Sequence, residues 1–569
     1  DSLIVDWVDG TTDYMVNLNA DQTIAFKKGS YPVIGRNMKR PPQMYQSARA
    51  LFDSIFDHKE NRFDDFDKQV LLPHKLSNLG PALATGDVNS DGLDDIFVGN
   101  GAGFAAAMYL QQPDGRFILT KGAWQEDARY EDIGAVFFDA NNDGQLDLYV
   151  VSGGNSPQDY RMFQDRLYIN VDGILTKSQN ILPKISGSGS RVIPKDFDGD
   201  GDVDLFVGGR ISPQNYPFPG QSYLLVNQMM QGELKFVDQT EELAPGLSNI
   251  GMVTDAMWTD YDQNGTIDLI AVGEWMPITI FSQENGIFKN KTVVLENGDT
   301  SGWWFSIDGA DFDNDGDIDL IAGNLGTNYK YQASEKESFN IYASDFDENG
   351  SKDLVLGYYN NGVEYPVRGR QCSSQQIPAI QLKFKDYSSF ANATIEDVYG
   401  SENLSASLHY KVTSFASVYL ENLGNGEYKK RELPFSAQIS PINDILIEDF
   451  NADGSLDLLV GGDLYAAEVE TPRSDAGIGL LMLGDGHGEF QPLPYSTSGI
   501  NMGYDVKALG IIKNAGRSVI VTANNQGPLQ LFAPFTKSQS KMSINKLDNR
   551  TTRFKKAGAL NEQLLVTDN

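Results

Sequence analysis

From residue 81 onward, short apolar runs alternate with polar, glycine-rich turns at the lengths expected of β-strands and tight hairpins. The first four runs read ALATGD, DIFVGN, AAMYLQQ and RFILTKG, with a Pro-Asp-Gly turn at Pro113–Gly115 before the last of them. Between the first two lies an acidic loop of the form Asp-x-Asp/Asn-x-Asp/Asn-Gly-x-x-Asp, and the whole unit recurs. Such self-similarity settles architecture before any single residue is considered.

The acidic loop is found seven times. Its residues at positions 1, 3, 5 and 9 are Asp87, Asn89, Asp91 and Asp95; Asp139, Asn141, Asp143 and Asp147; Asp196, Asp198, Asp200 and Asp204; and Asp260, Asp262, Asn264 and Asp268. The remaining three sets are Asp311, Asp313, Asp315 and Asp319; Asp345, Asp347, Asn349 and Asp353; and Asp449, Asn451, Asp453 and Asp457. An eighth strand pair, near Asp505–Gly510 and Ser518–Ala523, keeps the apolar pattern but turns through KNAGRS without the acids. Successive loops start 52, 57, 64, 51, 34 and 104 residues apart, against the ~40–45 residues that four short strands and their turns require. Units that cannot bury their own faces must stack, and the spacing predicts an all-β fold, a closed β-propeller. One unit looks a strand short and one is degenerate, so seven and eight blades are both open.

The rest divides simply. Residues 1–29 read as strands around an Asp9-Gly10 turn, the end of a separate small β domain. Residues 30–80 read as a linker packing on the propeller, with a short helix expected near Gln46–Phe56. The propeller is expected over 81–535, with an insertion at 366–405 in the sixth unit, and 536–569 is a C-terminal extension without a usable signal.

The acidic loops have the composition of a calcium site: six to eight oxygens are wanted, many from carboxylates, with Gly where the chain turns sharply. An EF-hand would have a Glu at position 12 and flanking helices, whereas these loops run into strands such as DLFVGG and DLLVGG. Three or four carboxylates facing one another repel strongly without a cation. Up to seven Ca2+ are therefore expected, in a structural role, and they would bring the formal net charge from -33 to -19. The remaining acidity excludes a nucleic-acid partner, and no apolar run is long enough to span a membrane.

Catalytic material is sparse. The 569 residues hold one cysteine, Cys372, and four histidines. No disulfide within the chain, Cys-based zinc site or dinucleotide fingerprint is available. His58, His74 and His487 read as structural and Cys372 as a buried thiol, so no catalytic residue is assigned. The chain begins at Asp1, without Met or a signal peptide, and reads as a processed or cut piece.

If the acidic loops join first to second strands, the loops joining second to third strands leave from the opposite face. These are long and carry Tyr160, Arg161, Arg210, Tyr216, Trp275, Tyr329, Tyr331, Arg368, Arg370, Tyr465 and Arg473. Tyr, Trp and Arg are the usual anchors of interfaces, and this face is expected to bind a partner.

The acidic loops with their DLFVGG-like strands resemble the FG-GAP/VCBS repeats of integrin α-subunits and bacterial surface proteins. HKENRFDDFDKQVLLPHKLSNLGPALATGDVNSDGLDDIFVG, GRQCSSQQIPAI and DAGIGLLMLGDGHGEF resemble the cartilage-acidic-protein-like proteins of Bacteroidetes-type bacteria. LIVDWVDGTTDYMVNLNADQTI resembles the end of an ASPIC/UnbV domain, so the resemblance implies a C-terminal half of a longer protein. It implies calcium in the seven loops and a place on the outer face of the outer membrane, lipid-anchored through a part outside this chain. It also implies an outer-membrane transporter of SusC/SusD type or a surface lipoprotein as partner. The first functional expectation is a non-enzymatic accessory subunit of such an import complex. A glycan-binding module is the second and a metal-dependent sugar lyase or dehydratase the third.

Overall fold

The second strand of each repeat is apolar at nearly every position, which an ordinary one-sided sheet would not tolerate. Asp95–Val98, Asp147–Ser152, Asp204–Ile211, Asp268–Met276, Asp319–Gly323 and Asp457–Gly461 are buried along their whole length. The computed structural model shows why: each sheet is covered on both faces by its neighbours. It describes residues 2–6, 12–16, 24–27, 43–535 apart from 157–158, 231–232, 293–297 and 425, and 563–566.

Seven antiparallel sheets follow one another within residues 44–534, six of four strands and one in which the short strand Gly302–Trp303 adds a fifth. Their innermost strands are Leu83–Gly86, Asp132–Phe138, Ser188–Lys195, Met252–Thr259, Ser306–Ala310, Asp444–Glu448 and Asp505–Asn514. Each innermost strand lies beside the next, and the last lies beside the first, so the ring closes. We number the sheets as blades 1 to 7 in that order.

Alternation along the strands fills the junctions. In blade 1, Ile96 and Val98 pack with Val519, Val521 and Leu531 of blade 7, while the intervening Phe97 packs with Leu148, Val150 and Tyr168 of blade 2. The same period-two partition places Tyr149 and Val151 between blades 2 and 3, and Leu148 and Val150 on the other side. Apolar clusters occupy the junctions 3–4, 4–5, 5–6 and 6–7 in the same way.

Several expectations are corrected by topology. Blade 5 is discontinuous: Asp319–Gly323 pairs with Val418–Asn422, in register at Leu320↔Leu420. The interval holds another sheet, in the order Val363–Pro366, Asp353–Asn360, Phe339–Ser344, Leu408–Val412, with helices within residues 370–406 between its last two strands in the chain. The acidic loop at 345–353 therefore belongs to this inserted sheet, and the apparently short 34-residue unit is the first half of blade 5. The insertion is correspondingly larger than 366–405. Its strands lie close in sequence and carry the same local pattern as a blade, while the pairing that defines blade 5 spans about a hundred residues and leaves no local signature.

Blade 7 is completed from the other end of the described propeller: Tyr45–Ser47 pairs with Gln530–Pro534. Part of the segment expected as a linker is thus an outer strand, and no helix forms near Gln46; a single 3-10 turn, Arg49–Leu51, follows it. The same segment continues across the face where second strands end. His74, Lys75, Asn78 and Leu79 line a cavity there with Ile133, Ser190, Thr254 and Lys507 from the inner strands.

Residues 1–43 and 535–569 form a second compact unit. Ser2–Asp6 pairs with Thr12–Val16, and Ile24–Lys27 with Gln563–Val566; the Asp9-Gly10 turn lies outside the described residues.

Candidate metal centres

Six acidic loops join the first to the second strand of blades 1 to 6 and so lie on one face; the seventh is on the inserted sheet. Blade 7 makes the same connection with a two-residue hairpin, where Asn514 pairs with Arg517 and Ala515 and Gly516 have φ of 49° and 73°. That geometry is the ordinary solution for a tight hairpin and has no room for ligands.

Each loop is organised by its first aspartate. Asp87 accepts backbone N–H bonds from Asp91 and Gly92 at 3.0 and 2.7 Å, and Asp260 from Asn264 and Gly265 at 2.9 Å each. Asp139, Asp311, Asp345 and Asp449 repeat the pair, and Asp196 draws on Gly199 and Gly201. The chain passes twice through left-handed backbone. Position 6 is always Gly, with φ from 84° to 99°. Position 4 is left-handed too, at Ser90, Asn142, Gly199, Gln263, Asn314, Glu348 and Ala452. A non-Gly residue there is strained, and the side chains of Asn142, Gln263 and Asn314 hydrogen-bond to the neighbouring blade.

The aspartate at position 9 is buried in every loop. Asp95 accepts from Val88 N at 3.1 Å within its loop and from Gln111 N on the third strand at 2.8 Å. Asp147, Asp204, Asp268, Asp319 and Asp457 make the equivalent two bonds, to Ala140 and Asn170, Phe197 and Asn227, Tyr261 and Gln283, Phe312 and Asn422, and Phe450 and Gly484. Burial pushes Asp95 and Asp204 up to about 7, and Asp147, Asp268, Asp319 and Asp353 to about 6; the other acids of each loop push the same way.

Carboxylate oxygens converge within 4.8 Å in four loops: Asp196, Asp198 and Asp204; Asp260, Asp262 and Asp268; Asp311, Asp313 and Asp315; and Asp345, Asp347 and Asp353. Asp313 Oδ1 and Asp347 Oδ1 are buried without any hydrogen-bond partner. A buried carboxylate oxygen without a donor, beside two further carboxylates, is the electrostatic requirement of a hard cation and is costly otherwise. In the other three loops position 3 is Asn, whose amide donates to the position-5 aspartate: Asn89 to Asp91, Asn141 to Asp143 and Asn451 to Asp453, at 3.1, 3.0 and 2.7 Å. These sites have the same frame with less charge.

A set of supporting residues escapes a reading confined to the acidic loops. The third-strand residue that clamps position 9 also spans two blades with its side-chain amide. Asn170 Nδ2 donates to Leu146 O of its own blade and Val88 O of the preceding one; Asn227 reaches Val203 O and Ala140 O, and Asn422 reaches Ile318 O and Tyr261 O. Gln111 and Gln283 do this with the longer side chain. The sequence signal is an amide near the end of the third strand in blades 1 to 5, in YLQQ, YINV, LVNQ, FSQE and YLEN; blade 6 has Gly484 there.

The opposite face corrects the expected partner site. Arg210, Tyr216, Trp275, Tyr331 and Arg368 are buried, at 4% exposure or less. Tyr216, Trp275 and Tyr331 pack with Leu71, Leu72, Trp303 and Phe339 where segment 64–76 and the inserted sheet cover the blades. Trp275 donates its indole N–H to Tyr216. Arg210 and His74 both reach Glu274 Oε1, at 3.0 and 2.6 Å. Burial raises the Glu274 carboxyl, but Arg210 and the hydrogen-bonded His74 outweigh it and bring the group to about 2. Arg368 pairs with Glu468. These aromatic and arginine side chains anchor the insertion internally. Tyr329, Arg370 and Tyr465 are half-buried, with Arg370 donating to Phe384 O; Tyr160, Arg161 and Arg473 are exposed. Arg161 pairs with Asp159, and Arg473 pairs with Asp475 while stacking over Tyr465.

His58 and His74 are buried, and His487 is exposed in a turn. Cys372 is half-buried rather than buried; its thiol donates to Glu470 at 3.1 Å, and burial together with that carboxylate pushes it up, away from the thiolate. Among the described residues no helix is long and apolar enough to cross a membrane.

Residues 87–150, 139–207 and 260–322 match the model of an FG-GAP-like repeat. Over 226 residues the chain is 28% identical to cartilage acidic protein 1 of Xenopus tropicalis, spanning 38% of this chain and 32% of that protein. Cartilage acidic protein 1 of Mus musculus is 29% identical over 227 residues, with the same coverage of 38% and 32%. The V. cholerae biofilm matrix protein Bap1 overlays with a TM-score of 0.35 and 11% identity, covering 87% of this chain and 92% of that one. Saccharomyces cerevisiae Sqt1 overlays at 0.38 and 12%, covering 87% and 100%. Both overlays are too loose to add to the architecture drawn from the sheets. The chain carries FG-GAP-like repeats on a β-propeller frame and is similar, over part of its length, to cartilage acidic protein 1.

Proposed function

We propose that this chain is a calcium-stabilised β-propeller of the cell surface that works by binding rather than by catalysis, as an accessory subunit of an outer-membrane nutrient-import complex of SusC/SusD type. The observation that carries the calcium part is the pair of buried, donorless oxygens Asp313 Oδ1 and Asp347 Oδ1 inside triads of converging carboxylates. Calcium bound there would neutralise carboxylates that otherwise repel and would tie the loop to the first and second strands of its sheet. Three carboxylates of one loop gather at each of these sites, and the Tyr419 hydroxyl beside Asp319 is spent as a donor to that carboxylate at 2.7 Å, which favours a structural ion over a catalytic one.

The binding part rests on fewer residues than the sequence offered. Five of the expected anchors are buried, so a partner would meet the exposed remainder, Tyr160, Arg161 and Arg473 among them. The import-complex partner and the outer-membrane location come from the family resemblance alone. Affinity capture from solubilised native outer membrane, with calcium and with chelator, tests the reading. A stoichiometric transporter or surface lipoprotein that is lost on chelation supports it. Recovery of the propeller alone overturns it and directs attention to soluble glycans, the second reading.

A further inference from the structure

Two buried acids outside the loops and the close ion pairs lie side by side. Glu60 lies on the segment that crosses the face opposite the acidic loops, and Glu131 lies at the entry to the inner strand of blade 2. The Glu60 side chain and Glu131 are each only 5% exposed, and the two carboxyl groups come within hydrogen-bonding reach of each other. Each has one oxygen well supplied with donors. Glu60 Oε1 accepts from Asn525 Nδ2 of blade 7, and Glu131 Oε2 from Ala102 N at 3.0 Å and Asn61 Nδ2 at 3.2 Å. The other oxygens, Glu60 Oε2 and Glu131 Oε1, are buried and have no partner.

Two nearby cations are already engaged by other acids. Lys507 is paired with Asp505 at 2.8 Å and Arg166 with Asp132 at 2.7 Å. His58 Nδ1 accepts from Gln526 N at 3.1 Å, which puts the ring proton on Nε2, 3.9 Å from Glu60 Oε1. That nitrogen is a donor and not a ligand. A further oxygen is close: a Cβ on Gly101 would stand 2.4 Å from Lys59 O and 2.9 Å from Glu60 Oε2, so only glycine leaves this corner open. On its other side Glu131 borders a cavity of about 760 Å3 lined also by Asn61, Arg62, Ala102 and Arg129.

We propose that Glu60 and Glu131 together hold a hard divalent cation, of the calcium or magnesium kind, at a site separate from the acidic loops. As at Asp313 and Asp347, an oxygen of each carboxyl is left buried without a donor, while donors from the protein hold the other oxygen of Glu60 and of Glu131. Donors set on both carboxylates suit two ionised groups sharing a cation better than a neutral acid beside a carboxylate. Oxygen-only donors select a hard ion. Without one, burial pushes Glu60 up to about 7 and Glu131 well above the usual range. The ion would latch the covering segment onto blades 1, 2 and 7. The inference stands apart from the calcium reading of the loops, since it uses none of their residues.

Crystals of the full chain grown with manganese chloride test it directly. Anomalous density between Glu60 and Glu131 is expected; a structure without it overturns the proposal, whether or not the loops are filled. In solution, Glu131→Gln and Glu60→Gln should each bind one calcium fewer per chain than the wild type after equilibrium dialysis. An unchanged count in a folded variant overturns it and identifies a shared proton instead. Should either variant fail to fold, the crystallographic arm alone decides.

Discussion

Asp204 does three things at once: it closes an acidic loop, accepts from Phe197 N within that loop, and fixes Asn227 N on the third strand. Asp204→Asn keeps one acceptor but sets an amide N–H against a backbone N–H. We expect one bound calcium fewer by calorimetric titration and a loss of about 2 kcal/mol in urea denaturation with calcium present. The loss should shrink markedly in chelator, where the carboxylate has no ion to hold. Asp165 serves as a metal-free control. It is buried, accepts from Tyr149 Oη and Ser152 N at 2.8 Å each, and is pushed by burial to about 7 despite those bonds. A raised carboxyl makes the folded state hold its proton longer than the unfolded chain. Its contribution is full below about pH 4 and is lost as pH rises through about 7, by roughly 1.4 kcal/mol for each tenfold difference in proton affinity between the folded and unfolded chain. At saturating calcium the wild type should therefore lose urea resistance between about pH 4 and 7 more steeply than Asp165→Asn; parallel profiles would contradict this. Position 9 was legible in the sequence because it recurs at fixed spacing. Asp165 was not, because nothing local distinguishes a buried aspartate from a solvated one.

A blade is held to the next by apolar packing and by one recurrent amide. Asn227→Ala leaves two buried carbonyls, Val203 O and Ala140 O, without that donor. About 2–3 kcal/mol should be lost, equally in calcium and in chelator, because the residue supports the loop without supplying a ligand oxygen. An effect confined to calcium would show that Asn227 acts on the ion instead. The strand Tyr45–Ser47 carries a different load: it covers the outer edge of blade 7. Deleting residues 1–48 exposes Gln530–Pro534 as an unpaired edge, a template for association. The truncated chain should melt earlier and elute as higher oligomers on size exclusion, while retaining its acidic loops. Strand existence was readable from the apolar runs, including all four of blade 1. Pairing across 45–534 and 320–420 was not, since register between distant strands is set by what the rest of the ring leaves unpaired.

For the molecule as a whole, the acidic face and the covered face have opposite characters. One collects charge that calcium would neutralise; the other buries aromatic rings and ion pairs beneath segment 64–76 and the inserted sheet. Chelation should lower the melting temperature by many degrees, and restoring calcium should recover it; an unchanged melt would sink the calcium reading. The amino-acid order by itself determined the repeat, the all-β class, the acidic loops with their left-handed glycines, and the absence of acids in the last hairpin. Each follows from short-range chemistry: side-chain alternation, turn geometry and carboxylate spacing within nine residues. Only the tertiary structure decided that seven sheets close the ring, that the loop at 345–353 stands on an insertion, and that Tyr216, Trp275 and Arg368 are internal. Burial is a property of what packs above a residue, and here the covering chain comes from 64–76 and from the insertion, far from the residues it hides.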